Sequence, residues 1–97
     1  MRVWARDSWW FRAWSGALRG LSGVVRLGGL TRRELEIMAL VARGNTSRQI
    51  GETLFISPRT VEMHVQGSLL KLGCRTRAEA ISRLAELGTL PPEATTR

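Results

Sequence analysis

Between residues 57 and 72, side chains able to recognise a partner recur at helical spacing on one side of the chain. These outward side chains are Arg59, Glu62, Met63, Gln66 and Leu70. An apolar stripe follows the other side of the same predicted helix and consists of Val61, Val65, Ser68 and Leu72. Such a helix buries its stripe in the fold, and its guanidinium, carboxylate, amide and thioether groups stay available to bind something outside it.

The residues before this helix predict a second helix and a tight turn. Thr46 and Gln49 have the three-residue spacing of a capping box, in which each side chain bonds the backbone N–H of the other residue. A turn follows at 55–56, and Ser57 with Pro58 then supplies an N-cap and a first helical residue that needs no N–H. A short helix, a turn and a longer helix outline a helix-turn-helix, which makes DNA the leading partner.

Further capping signals extend the pattern to four helices. Two more capping boxes begin at Thr31 and Thr76, with Glu three residues after each. Three glycines stand just past predicted helices, where a left-handed residue is favoured, and they are Gly44, Gly73 and Gly88. The predicted helices span 31–43, 46–55, 57–72 and 76–87. No strand pattern competes, so the fold class is all-α, a small four-helix helix-turn-helix domain of the winged-helix-like type without a wing.

The chain is strongly basic, with a formal net charge of +7 and an isoelectric point near 11.6. This balance favours a polyanionic partner, either a nucleic acid or an anionic membrane. More than half of the excess positive charge lies in residues 1–29, outside the predicted helices. The DNA hypothesis therefore depends on the helix pattern, and the charge only supports it.

Cysteine and histidine each occur once, as Cys74 and His64. A single cysteine excludes an internal disulfide and a cysteine-based metal cluster, and one histidine gives no metal site. The sequence offers no pair of a nucleophile and a base, and no glycine-rich phosphate loop after a strand. We therefore predict neither an enzyme nor a cofactor, and we interpret Cys74 as a small buried apolar residue.

The first 29 residues differ in composition, since they contain all four tryptophans. On a helix, one broad apolar face would hold Trp10, Trp14, Ala17, Leu18, Leu21, Val24 and Val25. We interpret the segment foremost as a linker without function. The other interpretations are a helix in a membrane interface, packing on the helical unit, and pairing with a second copy. Recurrent arginines argue against a transmembrane span or a secretory signal.

Glycine and proline pairs mark the domain boundaries. The glycine pair at 28–29 separates the Trp/Arg-rich N-terminal segment, 1–29, from the helical unit at 30–88. The proline pair at 91–92 and the polar residues after it predict a disordered tail at 89–97. A chain of this length is expected to form one domain.

Four stretches of the sequence together carry a family resemblance. They are Leu-Thr-Arg-Arg-Glu at 30–34, Gly-Asn-Thr-Ser-Arg-Gln-Ile at 44–50, Leu-Phe-Ile-Ser-Pro-Arg-Thr-Val-Glu-Met-His-Val at 54–65 and Lys-Leu-Gly-Cys-Arg-Thr-Arg-Ala-Glu-Ala at 71–80. Over about residues 30–87 the chain closely resembles the LuxR-type (NarL/FixJ-type) helix-turn-helix domain. The resemblance implies a bacterial transcription regulator, or a response-regulator output domain. Its third helix, 57–72, would lie in the major groove, and its fourth, 76–87, would mediate dimerisation.

The resemblance also implies roles for individual residues. Base edges would be faced by Glu62, Met63 and Gln66, which suit cytosine, a thymine methyl group and adenine respectively. The DNA backbone would be contacted by Thr46, Ser47, Arg48, Arg59, Thr60, His64, Lys71, Arg75 and Arg77. The dimer would form through Ala80, Ile81, Leu84 and Leu87. Some of these residues have a structural alternative, which is capping for Thr46 and half-buried packing for His64.

The sequence departs from the family pattern at several positions. Ser68 occupies a core position that normally holds a large aliphatic residue, at a cost on the order of 1–3 kcal/mol. Gly67 weakens the helix by about 1 kcal/mol relative to Ala, and Gly51 replaces the usual Ala of the second helix. Glu62 places a negative charge next to DNA. Together these departures predict a recognition helix of reduced stability. We expect Glu34 to be structural, through its capping box or an ion pair with a neighbouring Arg.

The leading hypothesis is a sequence-specific regulator that binds double-stranded DNA as a homodimer, or as a heterodimer with a related regulator. It would act in the bacterial cytoplasm at the nucleoid, with RNA polymerase as a further candidate partner. Only 29 residues precede the domain, too few for a receiver or ligand-binding domain, so no input signal is assigned. The alternative is an interaction protein that binds DNA weakly or not at all and antagonises a full-length LuxR-type regulator by pairing with it.

Overall fold

Six helices make up the regular structure of the residues described. The structure is a computed structural model and describes residues 8–19 and 29–95. The helices are α1 (Ser8–Arg19), α2 (Arg32–Ala42), α3 (Ser47–Leu54), α4 (Pro58–Leu72), α5 (Arg77–Glu86) and α6 (Pro92–Thr95). The all-α prediction is confirmed, and α2 to α5 begin and end within one or two residues of the predicted bounds. None of the helices described is long and apolar enough to cross a membrane.

Side-chain caps start α2 to α5 where the sequence predicts them. The capping boxes at Thr31 and Thr46 are complete, with both reciprocal hydrogen bonds present. Ser57 accepts the backbone N–H of Thr60 and is followed by proline at the first helical position. The box predicted at Thr76 is only half formed, because the Glu79 carboxylate accepts the backbone N–H of Arg75, at 3.1 Å, in place of that of Thr76.

The turn between α3 and α4 depends on two unusual backbone positions. Phe55 ends α3 in the left-handed region (φ 60°, ψ 43°), where a residue with a side chain is uncommon. The chain then passes so close to Gly51 that a Cβ there would lie 2.5 Å from the backbone oxygen of Ile56. The turn therefore fits against a glycine at the position where the resemblance leads one to expect Ala.

The core surrounds α4 on three sides. This helix packs most extensively against α2 and α3, and also against α5, which itself contacts α2. The largest fully buried side chains are Leu30, Leu35, Ile37, Met38, Ile50, Val61, Val65, Ser68 and Leu84. With its inner side held by three helices, α4 keeps only one side of its surface outside the core.

Ser68 lies in this core, as its place on the apolar stripe predicts. Its side chain is fully buried, and its hydroxyl donates to the backbone carbonyl of His64 at 2.8 Å. That bond is of the kind by which a helical serine satisfies its own hydroxyl within the preceding turn. The position therefore buries a polar group where the family pattern expects an aliphatic one.

Replacing this hydroxyl with methyl groups should stabilise the fold. We expect Ser68→Val to raise the free energy of unfolding by about 1 kcal/mol, since each buried methylene contributes roughly 0.8 kcal/mol. Ser68→Ile tests the larger side chain that the family pattern suggests. Urea unfolding of both variants measures the effect, with Ala13→Val on the exposed part of α1 as a control without a gain. A loss of stability in the two core variants would show that the site has no room for the added carbon.

Helix α1 packs on α2 and adds aromatic side chains to the core. Trp10, Phe11 and Leu18 are buried within the single core cluster. Ser15 is buried as well, and its hydroxyl donates to the carboxylate of Glu36 on α2. The interpretation of this segment as a linker is therefore wrong for residues 8–19, because its apolar side chains cover α2.

The predicted apolar face of this helix is correct only in part. Trp10 and Leu18 are buried as expected and Trp14 is half-buried, but Ala17 is exposed. The side chain of Phe11, which the prediction left off this face, is also buried, so the face in contact is rotated towards it. The remaining members of the predicted face, Leu21, Val24 and Val25, lie outside the described residues.

The C-terminal segment also differs from its prediction. Residues 89–95 are not a disordered tail, since Pro92 begins the short helix α6, and Pro91 and Ala94 are buried. Helix α6 packs on α2, and the backbone N–H of Ala94 donates to the Pro91 carbonyl at 3.0 Å. The proline pair indicated a break, but proline also suits the first position of a new helix.

Candidate nucleic-acid interface

One side of α4 presents four exposed side chains in line. This outer stripe of α4 consists of Arg59, Met63, Gln66 and Leu70. Two of its members are large apolar groups in solvent, since Met63 is 65% exposed and Leu70 is 82% exposed. The four positions are separated by four, three and four residues, so they form one row along the helix. This row combines hydrogen-bonding and apolar groups on a rigid element.

The third residue predicted to face bases, Glu62, lies beside the outer stripe and bonds to two other helices. Its Oε1 accepts from Nη2 of Arg77 at 2.5 Å, and its Oε2 accepts from the hydroxyl of Ser47. The hydrogen bond from Ser47 and then that from Arg77 hold the pKa of Glu62 below its ordinary value. The carboxylate is therefore ionised at neutral pH and joins α4 to the beginnings of α3 and α5.

Three helix beginnings consequently meet at one end of the outer stripe. Ser47 is the first residue of α3, Arg77 is the first residue of α5, and both bond to a carboxylate one turn from the start of α4. The beginning of a helix carries a partial positive charge that favours anions. Near these beginnings the predicted backbone contacts Thr46, Arg48, Arg59 and Arg75 are exposed, and Thr60 is half-buried.

Lys71 is placed differently from its prediction as a DNA contact. Its ammonium group bonds to Oε1 of Glu34 at 2.6 Å, and the Glu34 side chain is only 8% exposed. The interaction joins the last turn of α4 to the start of α2. Glu34 is structural, as expected, but its ion partner on α4 is a lysine and not a neighbouring arginine. His64 is half-buried, in keeping with a packing role, and its backbone carbonyl accepts a hydrogen bond from the Ser68 hydroxyl.

The Glu34 interaction should make stability depend on pH in the acid range. Burial opposes ionisation of Glu34, but hydrogen bonds from Lys71 and Thr31 outweigh it and hold its pKa below the ordinary value of 4.5. The folded state therefore releases this proton more readily than the unfolded state does. The stabilisation is present in full above the unfolded-state pKa and is lost as the pH falls through the lower folded-state value.

Glu34→Gln should remove this dependence. We expect the variant to be less stable than the parent at neutral pH, by about 1–3 kcal/mol, and to lose less stability on acidification below pH 4.5. Urea unfolding between neutral pH and pH 3 measures both effects. Glu86→Gln, on the exposed part of α5, is the control and should follow the parent. Parallel acid curves for the Glu34 variant and the parent would contradict the assignment.

The comparisons with known proteins cover the same helices. Residues 29–84 match the GerE family, described as bacterial regulatory proteins of the luxR family. This match spans more than half of the 97 residues. The chain belongs to the LuxR family of bacterial regulatory proteins. It therefore carries the helix-turn-helix domain of a family of transcription regulators, as the sequence predicts.

Individual relatives in the LuxR family agree with this. The spore germination protein GerE of Bacillus subtilis is 38% identical over 61 residues, which are 63% of this chain and 82% of GerE. The transcriptional regulatory protein LiaR of Bacillus subtilis is 49% identical over 51 residues, 53% of this chain and 24% of LiaR. The oxygen regulatory protein NreC of Staphylococcus aureus is 42% identical over 52 residues, 54% of this chain and 24% of NreC. The chain thus spans about a quarter of the length of LiaR and NreC.

The side chains expected to form a LuxR-family dimer are partly inside the core. Ala80 and Leu84 of α5 have no exposed surface, and Ile81 is half-buried against the core. Only Leu87 is largely exposed. The prediction was wrong for Ala80 and Leu84 because α5 uses its apolar side to cover α2 and α4. The side of α5 left in solvent carries the small residues Ala78, Ser82 and Ala85.

Two exposed apolar residues received no role from the sequence. Leu70 continues the outer stripe four residues after Gln66, in keeping with its predicted outward position, but the sequence assigned it no specific contact. Phe55 is 93% exposed at the turn before α4. Its exposure had no sequence signal, because an aromatic residue between two helices is ordinarily expected to pack.

Cys74 is confirmed as a small buried residue. It follows α4, is almost completely buried, and its thiol lies 3.7 Å from the Leu72 carbonyl oxygen. Burial raises the pKa of the thiol above its ordinary value, which disfavours the reactive thiolate. Over residues 8–19 and 29–95, the structure contains no cluster of three or more His, Cys, Asp or Glu side chains placed to hold a metal ion.

Proposed function

We propose that this chain binds a specific sequence of double-stranded DNA and regulates transcription, with α4 in the major groove. The observation that carries this proposal is the meeting of three helix beginnings at one end of the outer stripe of α4. Their partial positive charges favour phosphates on both sides of α4. The major groove is wide enough to admit an α-helix between those phosphates.

The base-reading role then falls to the middle of the outer stripe. Gln66 can bond the N6 and N7 edge of adenine with both of its amide atoms, and Met63 can contact a thymine methyl group. Both side chains are exposed. The carboxylate of Glu62, by contrast, is already bonded through both oxygens to protein donors.

The phosphate-binding role falls to arginines around the start of α4. Arg48, Arg59 and Arg75 are exposed and stand in α3, α4 and the loop before α5. Guanidinium groups bind phosphate through paired N–H donors. Lys71 is left out of this set, since its ammonium group is bound to Glu34.

A two-fold arrangement completes the proposed function. Two copies would pair through the exposed side of α5, where Ala78, Ser82 and Ala85 allow close approach of a second helix, and through Leu87. A symmetric dimer places two copies of α4 on two related half-sites. The bound DNA sequence should therefore be related to itself by a two-fold axis.

The test is selection from a pool of random DNA duplexes with the full 97-residue chain. An enriched motif with two-fold symmetry would support both sequence-specific binding and the dimer. An enriched motif without that symmetry would support DNA reading and contradict the dimer. Recovery without enrichment, or no recovery, would contradict the proposal and favour the antagonist that pairs with a related regulator.

A single substitution should connect the motif to the helix. We expect Gln66→Ala to relax the preference at one base position of each half-site, at a cost of about 1–3 kcal/mol in binding free energy. The measurement is the same selection repeated with the variant. Arg12→Ala, on the exposed part of α1 and outside the proposed DNA and dimer surfaces, is the control for base preference and should return the parental motif. A change spread evenly over all positions would show that Gln66 contacts the backbone instead.

A further inference from the structure

Glu62 occupies a junction between three helices. Both of its oxygens are used, Oε1 by the Arg77 guanidinium at 2.5 Å and Oε2 by the Ser47 hydroxyl. Because those partners are the first residues of α3 and α5, one side chain of α4 fixes how both helices begin. The sequence had assigned these three residues to three separate contacts with DNA.

The junction lies at the surface and not in the core. The Glu62 and Arg77 side chains are 43% and 40% exposed, beside Met63 of the outer stripe. An ion pair with this exposure usually adds little to folding stability. Its position next to the proposed groove-reading surface therefore suggests a role in how that surface is arranged.

The bonding pattern also bears on what Glu62 can recognise. A carboxylate that reads cytosine must direct an oxygen at the N4 amino group of the base. Here each oxygen already accepts a hydrogen bond from a protein donor. Arginine, however, carries five N–H donors in a fixed fork, so binding to Glu62 through one nitrogen leaves further donors for a phosphate. The positive charge of Arg77 also offsets the repulsion between Glu62 and the DNA backbone.

We propose that Glu62 is a positioning residue of the DNA interface, which orders the Arg77 guanidinium and the Ser47 hydroxyl beside α4 for contact with phosphates and reads no base itself. This role rests on the proposed DNA binding and refines it. It assigns base reading in α4 to Met63 and Gln66 and places Glu62 among the residues that orient others.

The first test needs no DNA. In the full chain, the Nη–H signal of the Arg77 guanidinium, whose Nη2 donates to Glu62, is followed by nuclear magnetic resonance in the parent, Glu62→Gln and Glu62→Ala. We expect a shifted signal with slow hydrogen exchange in the parent, partly retained in Glu62→Gln, where the amide oxygen can still accept, and lost in Glu62→Ala. A signal that is the same in the parent and in Glu62→Ala would overturn the proposal whether or not the chain binds DNA.

The second test is a double-mutant cycle on the duplex recovered by selection. We expect Glu62→Ala and Arg77→Ala each to weaken binding by about five- to tenfold. The loss in the double variant should be smaller than the product of the two single losses, because without Arg77 the Glu62 carboxylate positions only Ser47. Both single variants should reduce the magnitude of the slope of log affinity against log salt concentration by about 2, one for each protomer of the proposed dimer. The motif selected by Glu62→Ala should be the parental one.

Contrary outcomes separate this proposal from the one on which it rests. If the double variant lost affinity by the full product of the two single losses, Glu62 would act independently of Arg77. If Glu62→Ala changed the preference at one base position, Glu62 would read a base. Binding by the parent together with unchanged affinity in Glu62→Ala would overturn the positioning role alone. A parent that binds no duplex would overturn the proposed function as well. Met63→Ala is the control. Combined with Arg77→Ala, it should weaken binding by the product of the two single-variant losses of affinity, because Met63 does not position Arg77.

Discussion

Trp10→Ala is expected to destabilise the fold by about 3–5 kcal/mol, the range for removing a large buried aromatic side chain. Trp10 is 4% exposed and packs in the core cluster beside Phe11, with the two rings 5.9 Å apart and nearly perpendicular. A domain this small has few kcal/mol to lose, so the melting temperature should fall by more than about 12 °C. Thermal and urea unfolding of the full chain measure the change.

The neighbouring tryptophan provides a matched control for this prediction. Trp9 is 64% exposed on the same helix, so Trp9→Ala should change the free energy of unfolding by no more than about 0.5 kcal/mol. The Nε1–H of Trp10 finds no acceptor among the described residues, which places the expected loss towards the lower end of the range. Equal effects of the two substitutions would mean that α1 does not pack on α2 in solution.

Affinity for the selected duplex is expected to fall by about 10³ to 10⁴ between 50 and 200 mM salt. Three exposed arginines in each protomer, Arg48, Arg59 and Arg75, give six phosphate contacts in a dimer, and the proposed Arg77 contact adds two more. Each contact contributes roughly −0.9 to the slope of log affinity against log salt concentration. Titrations at several salt concentrations give the slope directly.

Single substitutions divide this slope among residues. Arg48→Ala should reduce the magnitude of the dimer slope by about 2, one for each protomer, and should weaken all duplexes alike. Arg12→Ala is the control, since Arg12 is an exposed arginine on α1, outside the proposed interface. If Arg12→Ala reduced the slope as much as Arg48→Ala, the DNA surface would extend over α1 and would have to be redrawn.

The helices themselves could be predicted because their ends are encoded locally. A threonine or serine cap bonds an N–H only three residues away, so Thr31, Thr46 and Ser57 show their function within a few letters of sequence. The same is true of glycine at a helix end, as at Gly73 with φ 68°. Such signals fix where a helix begins and ends, and they need no knowledge of the rest of the fold.

The sequence could not show contacts between distant parts of the chain. Helical spacing shows that α5 has an apolar side, but it does not tell whether that side meets the protein's own core, as for Ala80 and Leu84, or a partner. The hydrogen-bond partners of Glu62 and Lys71 lie 15 and 37 residues away in the sequence, respectively. A family resemblance assigns such charged residues to contacts with DNA, although they can also form ion pairs within the protein.

Helices α1 and α6 have a practical consequence for protein engineering. Both lie outside the 29–84 unit that defines the family, yet both pack on α2. A fusion protein cut at the family boundaries would expose the surface around Glu36 to water and lose the side chains that cover it. Chimeric regulators made from this domain should therefore be joined before Ser8 and after Thr95. Their solubility and yield then depend on the fused domain and are not lowered by an uncovered α2.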